Sequence, residues 1–141
     1  MEDDRTYNFF RFEDLRIYDK ALSYVEWVYH LTANLEETPN NRILAKEFLK
    51  LSRNIANAIA EGSSRSKPQF VQLLKEAKTL VREALVMGTL MHRLALISDE
   101  QSHENRELVI EMSRMLGALI ASLEKPQRKQ ESREVYPDGM E

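Results

Sequence analysis

Ser52-Arg53-Asn54-Ile55-Ala56-Asn57-Ala58-Ile59-Ala60-Glu61-Gly62-Ser63-Ser64-Arg65-Ser66 closes one amphipathic stretch and opens the next. Ahead of it Leu44, Phe48, Leu51 and Ile55 stand four, three and four residues apart, the seam of a helix packed in the manner of a coiled coil. The spacing predicts a helix over Arg42–Ala60. Gly62 is then expected in the left-handed conformation that commonly ends a helix, because it has no Cβ to clash. Ser66-Lys67-Pro68-Gln69 reads as a capping box: the Ser66 hydroxyl accepts from the Gln69 N–H, and the Gln69 side chain reaches back to Ser66. Pro68 falls in the first turn, where a missing N–H is harmless. Glu61 faces the negative end of the helix dipole, so a pairing with Arg65 or Arg53 is expected to fix the turn. Glu61, Gly62 and Ser66 together define a structural corner.

The stretch beyond the corner carries the clearest period. Phe70, Ala77, Ala84 and Met91 form one heptad column, Leu73, Leu80, Met87 and Leu94 a second, and Leu74, Val81, Gly88 and Ala95 a third. Three apolar positions in seven predict a bundle helix over Lys67–Leu96. Ala77, Ala84 and Gly88 are small enough for a neighbouring helix to come close. Ser98-Asp99-Glu100-Gln101 is another capping box and opens a helix running to Glu124, with Leu108, Met112, Met115 and Leu119 as its seam and Lys125-Pro126 as its stop. On the other side of the corner, a helix is expected over Phe12–Leu35. Its four apolar columns span an arc of roughly 200°, twice the ~100° stripe that one core contact needs. The excess points to a second partner, and Ile17, Tyr24, Trp27 and Leu31 are the expected oligomer interface.

Four helices with short connections predict an all-α fold, an antiparallel up-down-up-down four-helix bundle. Its limits are drawn at 12–124, after a flexible N-terminal arm (1–11) and before a disordered charged tail (125–141). Four Gly and four Pro in 141 residues leave little material for the many turns of an all-β fold. The absence of Cys excludes a disulfide framework and thiolate chemistry. No segment reaches the ~20 apolar residues of a membrane span, and the acidic start is unlike a signal peptide, so a cytoplasmic protein with no membrane partner is expected.

The net charge of -3 is unevenly spread. Residues 41–97 hold ten Lys and Arg against four Glu, between acidic ends. Lys46, Lys50 and Arg53 share one side of the second helix; Lys75, Lys78 and Arg82 lie together on the third; Arg65 and Lys67 join them across the corner. Lys and Arg that neutralise phosphates supply most non-specific nucleic-acid affinity, so these eight residues are the candidate nucleic-acid-binding face. No aromatic side chain is expected among these basic side chains to stack bases, so binding is expected to be largely sequence-tolerant. His30, His92 and His103 lie on three different helices without metal-ligand spacing, and no metal site is expected. Neither a Gly-rich phosphate loop nor a nucleophile elbow is present, so nothing points to an enzyme or a cofactor. Glu76 and Glu83 suit salt bridges between helices better than a catalytic dyad.

Phe12-Glu13-Asp14-Leu15, Tyr29-His30-Leu31-Thr32, Ile59-Ala60-Glu61-Gly62, Arg65, Phe70, Ala77 and Glu83 together resemble the signature of the four-helix-bundle family of ribosomal RNA intervening-sequence proteins. Ala58, Ser64 and Thr79-Leu80 depart from the residues most common there. The resemblance implies a homo-oligomer, a ring-like pentamer, with no catalytic residues. It also implies association with RNA, as related accessory proteins of diversity-generating retroelements are thought to work with RNA and a reverse transcriptase. A protein–protein scaffold or accessory subunit without nucleic-acid binding, with Trp27 and Tyr24 as contacts, is the alternative.

Overall fold

The computed structural model describes residues 10–125; the expected flexible arm before residue 10 and the expected disordered tail after residue 125 lie outside them. A short 3-10 turn, Arg11–Asp14, precedes α1 (Arg16–Ala33), α2 (Pro39–Ser63), α3 (Lys67–Arg93) and α4 (Asp99–Glu124), and no strand occurs among the described residues. The fold is all-α with four helices.

The helix starts follow their caps. Thr38 takes the N–H of Asn41 at 3.1 Å with Pro39 in the first turn, so α2 begins three residues before the seam predicts. Ser98 and Gln101 close a full capping box at the start of α4, with bonds of 3.0 and 2.9 Å. At α3 the Ser66 hydroxyl accepts the Gln69 N–H at 3.4 Å. The opening of the first predicted helix is instead the separate 3-10 turn, broken from α1 by Leu15 in an extended conformation.

The core is built from one stripe of each helix: Ile17, Ala21, Tyr24, Val28 and Leu31 of α1; Phe48, Ile55 and Ile59 of α2; Leu74, Ala77, Val81, Ala84 and Met91 of α3; Val109, Met112 and Leu116 of α4. Spacings of three and four keep each set on one side of its helix, and removal of this apolar area from water is the main stabilising term. The pairs α2–α3 and α3–α4 pack most extensively, and α1–α4 is the sparsest of the neighbouring pairs.

Gly62 departs from the sequence reading. It lies inside α2, which continues to Ser63, and has no positive φ. Its lack of a side chain serves packing: a Cβ there would stand 2.8 Å from Phe70 Cδ1 and 3.1 Å from Leu73 Cβ, both on α3. The left-handed residue is Ala95, with φ 62°. The Leu96 N–H bonds to Met91 O and the Ala95 N–H to His92 O, both at 2.9 Å, which makes the end of α3 a Schellman motif with Ala in the position usually held by Gly. That motif ends α3 at Arg93, three residues before the predicted end at Leu96.

Candidate functional site

The corner between α2 and α3 is held as the charges suggest. Arg65 Nε donates to Glu61 Oε2 at 2.8 Å, with a second bond from Nη2 to the same oxygen, and Arg53 takes no part. Both partners are about half exposed, so the pair sets geometry more than it adds stability. It also means that Arg65 is already engaged by a carboxylate.

The eight basic candidates do not share one face. Lys46, Lys50 and Arg53 are exposed on the side of α2 opposite Phe48, Ile55 and Ile59, and none is in an ion pair among the described residues. On α3 the set turns toward α4. Lys75 Nζ sits 3.5 Å from Glu124, and Lys78 is half-buried with its Nζ beside Gly117. Arg82 is exposed without an ion pair among the described residues, and Lys67 is exposed at the start of α3. Helical period alone placed each trio on one side of its own helix. How the two helices are rotated against each other is set by the close approach at Gly62, which no charge pattern encodes.

The expected oligomer interface is corrected. Ile17, Tyr24 and Leu31 are 4, 1 and 6% exposed, inside the protein's own core, and Trp27 is half-buried with its ring stacked on Tyr24 at 5.9 Å. The wide apolar arc of α1 divides: its Tyr24 side faces inward, while Leu22 and Tyr29 stay exposed. Tyr24 is held there by a partner the sequence did not reveal. Its hydroxyl donates to Asn105 Oδ1 at 2.5 Å, and Asn105 Nδ2 donates to Ala84 O at 3.3 Å. Asn105, 1% exposed, reaches Ala84 because Gly88, one turn along α3, has no side chain in the way. Burial in this node pushes the Tyr24 phenol well above its ordinary range. The only sequence signal was the small residues Ala84 and Gly88 in one stretch of α3.

Large apolar side chains remain exposed at one end of the α2–α3 pair: Ile43 near the start of α2, and Val86, Leu90 and Leu94 near the end of α3. Since Gly62 is level with Phe70 and Leu73, Ile43 falls level with Leu90 on the neighbouring helix.

The histidines of the described residues each meet a nearby side chain. His92 meets Asp99 at 2.6 Å across the α3–α4 turn, His103 meets Glu107 at 3.3 Å, and His30 lies edge-on to Tyr29. Glu76 and Glu83 are exposed and bridge to no other helix among the described residues. No group of three or more His, Cys, Asp or Glu able to hold a metal occurs among the described residues, and none of the helices is long and apolar enough to cross a membrane.

No curated protein matches the chain. A scan against protein families matches residues 13–118 to the family described as 23S rRNA-intervening sequence protein. That span runs from the 3-10 turn to the last third of α4, and takes in the corner, the Tyr24–Asn105 node and both basic groups. With three quarters of its length inside the match, the chain belongs to the 23S rRNA-intervening sequence protein family.

Proposed function

We propose that this protein is a non-enzymatic, self-associating four-helix bundle of the cytoplasm that holds RNA through the basic surface of α2. The observation that carries the reading is the row Lys46, Lys50 and Arg53: three exposed cations within about two turns, none neutralised by an ion pair among the described residues. Family membership supports RNA over other polyanions, since the family's name refers to 23S rRNA. The α3 cations contribute less in this reading, because Lys75 and Lys78 turn toward α4.

The helices run up-down-up-down. Lys20 pairs with Glu111 at 2.7 Å and Trp27 with Glu104 at 3.4 Å, so moving up α1 means moving down α4; Lys75 with Glu124 and Gly88 with Asn105 give the same sense for α3 and α4. Self-association uses the exposed patch Ile43, Val86, Leu90 and Leu94, in place of the buried α1 residues, and builds the pentamer that the resemblance implies. Repeating the α2 row around such an assembly raises its avidity for a long polyanion.

The test is a filter-binding titration of the full chain with RNA over a range of salt. Binding is expected to fall with log salt at a slope near -0.7 per single-strand phosphate contact, and replacing Lys46, Lys50 and Arg53 with Glu should abolish it with helicity unchanged. Absence of RNA retention at low salt would sink the proposal. An oligomer by sedimentation equilibrium without RNA binding would favour the scaffold reading, for which the same apolar patch is the specific support.

A further inference from the structure

Two parallel rows of side chains flank the α1–α2 seam. On α1 the row is Tyr18, Leu22, Val25 and Tyr29; on α2 it is Arg42, Lys46, Leu49 and Arg53. Each is spaced four, three and four, so each is one straight edge of its helix. The packing on the opposite edges shows that the rows face the same side. Lys20 and Trp27 of α1 are turned to Glu111 and Glu104 of α4, which leaves the Tyr18–Tyr29 edge beside α2. Gly62 of α2 is packed on Phe70 and Leu73 of α3, which leaves the Arg42–Arg53 edge beside α1. Tyr24 meets the Phe48 ring at 6.3 Å and so fixes the register. Tyr29, five residues and ~7.5 Å further along α1, is then level with the first turns of α2.

The α1 row is aromatic at both ends and incompletely covered. Tyr29 is 57% exposed and Leu22 40% exposed, and Tyr18 carries the Phe12 ring edge-on at 4.8 Å. The α2 row is cationic: among the described residues Lys46 and Arg53 are in no ion pair, and Arg42 meets an exposed carboxylate, Glu37, at 3.3 Å. An aromatic edge beside a cationic edge is the arrangement that binds single strands, the cations following the phosphates and the rings stacking bases. Duplex RNA offers phosphates but keeps its bases stacked on one another.

We infer that the α1–α2 face takes unpaired RNA in preference to duplex, with the backbone along Arg42, Lys46 and Arg53 and a base stacked on Tyr29. The inference rests on the RNA-binding reading above and names the form of RNA that this surface selects. It also replaces the expectation of binding without stacking, since across the seam the aromatics of α1 lie beside the basic row.

The test is a fluorescence-anisotropy titration of the full chain with a single-stranded oligouridylate and with a duplex of matched phosphate number. Wild type should prefer the single strand. Tyr29→Ala should weaken the single strand about tenfold and leave the duplex within twofold, whereas Tyr29→Phe keeps both. Lys46→Ala with Arg53→Ala should weaken both ligands. A 2-aminopurine in the oligonucleotide should be quenched by wild type and by Tyr29→Phe, but not by Tyr29→Ala. Equal binding of both ligands, or a Tyr29→Ala protein that still quenches and binds like wild type, would overturn the inference and leave the RNA-binding reading standing. No binding of either ligand by wild type would overturn both.

Discussion

Gly88→Ala is expected to destabilise this protein, against the usual sign. In a helix interior the change gains about 1 kcal/mol, because Ala restricts the unfolded chain and Gly does not. Here the new methyl would overlap the Asn105 amide nitrogen and stand 3.0 Å from its Cγ. Asn105 is 1% exposed and has no free side to move to. If it stays, the overlap costs about 1–3 kcal/mol, as for other overpacked cores. If it swings away, it gives up the Ala84 carbonyl and the Tyr24 hydroxyl, and each buried polar group left without a partner costs about 1–3 kcal/mol. Two such losses less the helix gain leave a net destabilisation of about 1–5 kcal/mol, a fall in Tm on the order of 10 °C for a chain of this size. Urea denaturation at one fixed protein concentration measures it, with the concentration held because any self-association adds to apparent stability. The stricter check is a double-mutant cycle. In an Asn105→Ala background the obstacle is gone, and Gly88→Ala should become neutral or stabilising by up to about 1 kcal/mol. A Gly88→Ala protein as stable as wild type, or equal costs in both backgrounds, would refute the Tyr24–Asn105–Gly88 account.

Gly62→Val should cost about 1–3 kcal/mol by overpacking against Phe70 and Leu73; if the cost persists unchanged in a Phe70→Ala background, close approach is not its origin. Ala95→Gly should stabilise by about 0.5–1 kcal/mol, since a left-handed Ala is strained by about 1–2 kcal/mol and the flexible Gly recovers only part of that; a loss of thermal stability would count against the Schellman geometry. Tyr24 keeps its proton in the folded state to higher pH than in the unfolded chain, because burial disfavours the phenolate. Its contribution is whole below about pH 10, where the unfolded phenol begins to ionise, and is lost above it at up to about 1.4 kcal/mol per pH unit. Tyr24→Phe should therefore flatten the alkaline limb of a stability–pH curve, and an unchanged limb would contradict its burial.

The fold was legible because it rests on periods. The columns of α3, the seam of α2 and the Ser98 capping box are local patterns, and each gives its helix without reference to the others. What could not be read is relative rotation. A 200° apolar arc says that α1 has two apolar sides, yet the choice of inward side depends on Asn105, eighty-one residues away from Tyr24. The interface assigned to Ile17, Tyr24 and Leu31 therefore fell on the core side. The spread of the basic residues has the same origin. Two trios, each correctly placed on its own helix, diverge because Gly62 draws α2 and α3 together along other edges. Gly62 itself shows the limit of residue-type reasoning: Gly suits both a left-handed helix end and a close helix contact, and only the neighbouring Phe70 decides between them.

The two helix rotations share a consequence for function. Once Tyr24 is inside, Tyr29, five residues on, must lie toward the outside, since five residues turn a helix by about 140°. Once Gly62 faces α3, Lys46 and Arg53 must lie away from α3, on the edge beside α1. The buried Asn105 bond and the missing Cβ of Gly62, neither of which can touch a ligand, thus set which aromatic ring and which cations share a surface. A change at Gly62 that rotates α2 should therefore alter the Tyr29–Lys46 surface without touching either residue. The expected sign is a weaker preference for single-stranded over duplex RNA in any Gly62 variant that still folds. If such a variant kept the full preference, the two edges would not be coupled through helix rotation, and the α1–α2 face would owe its arrangement to some other contact.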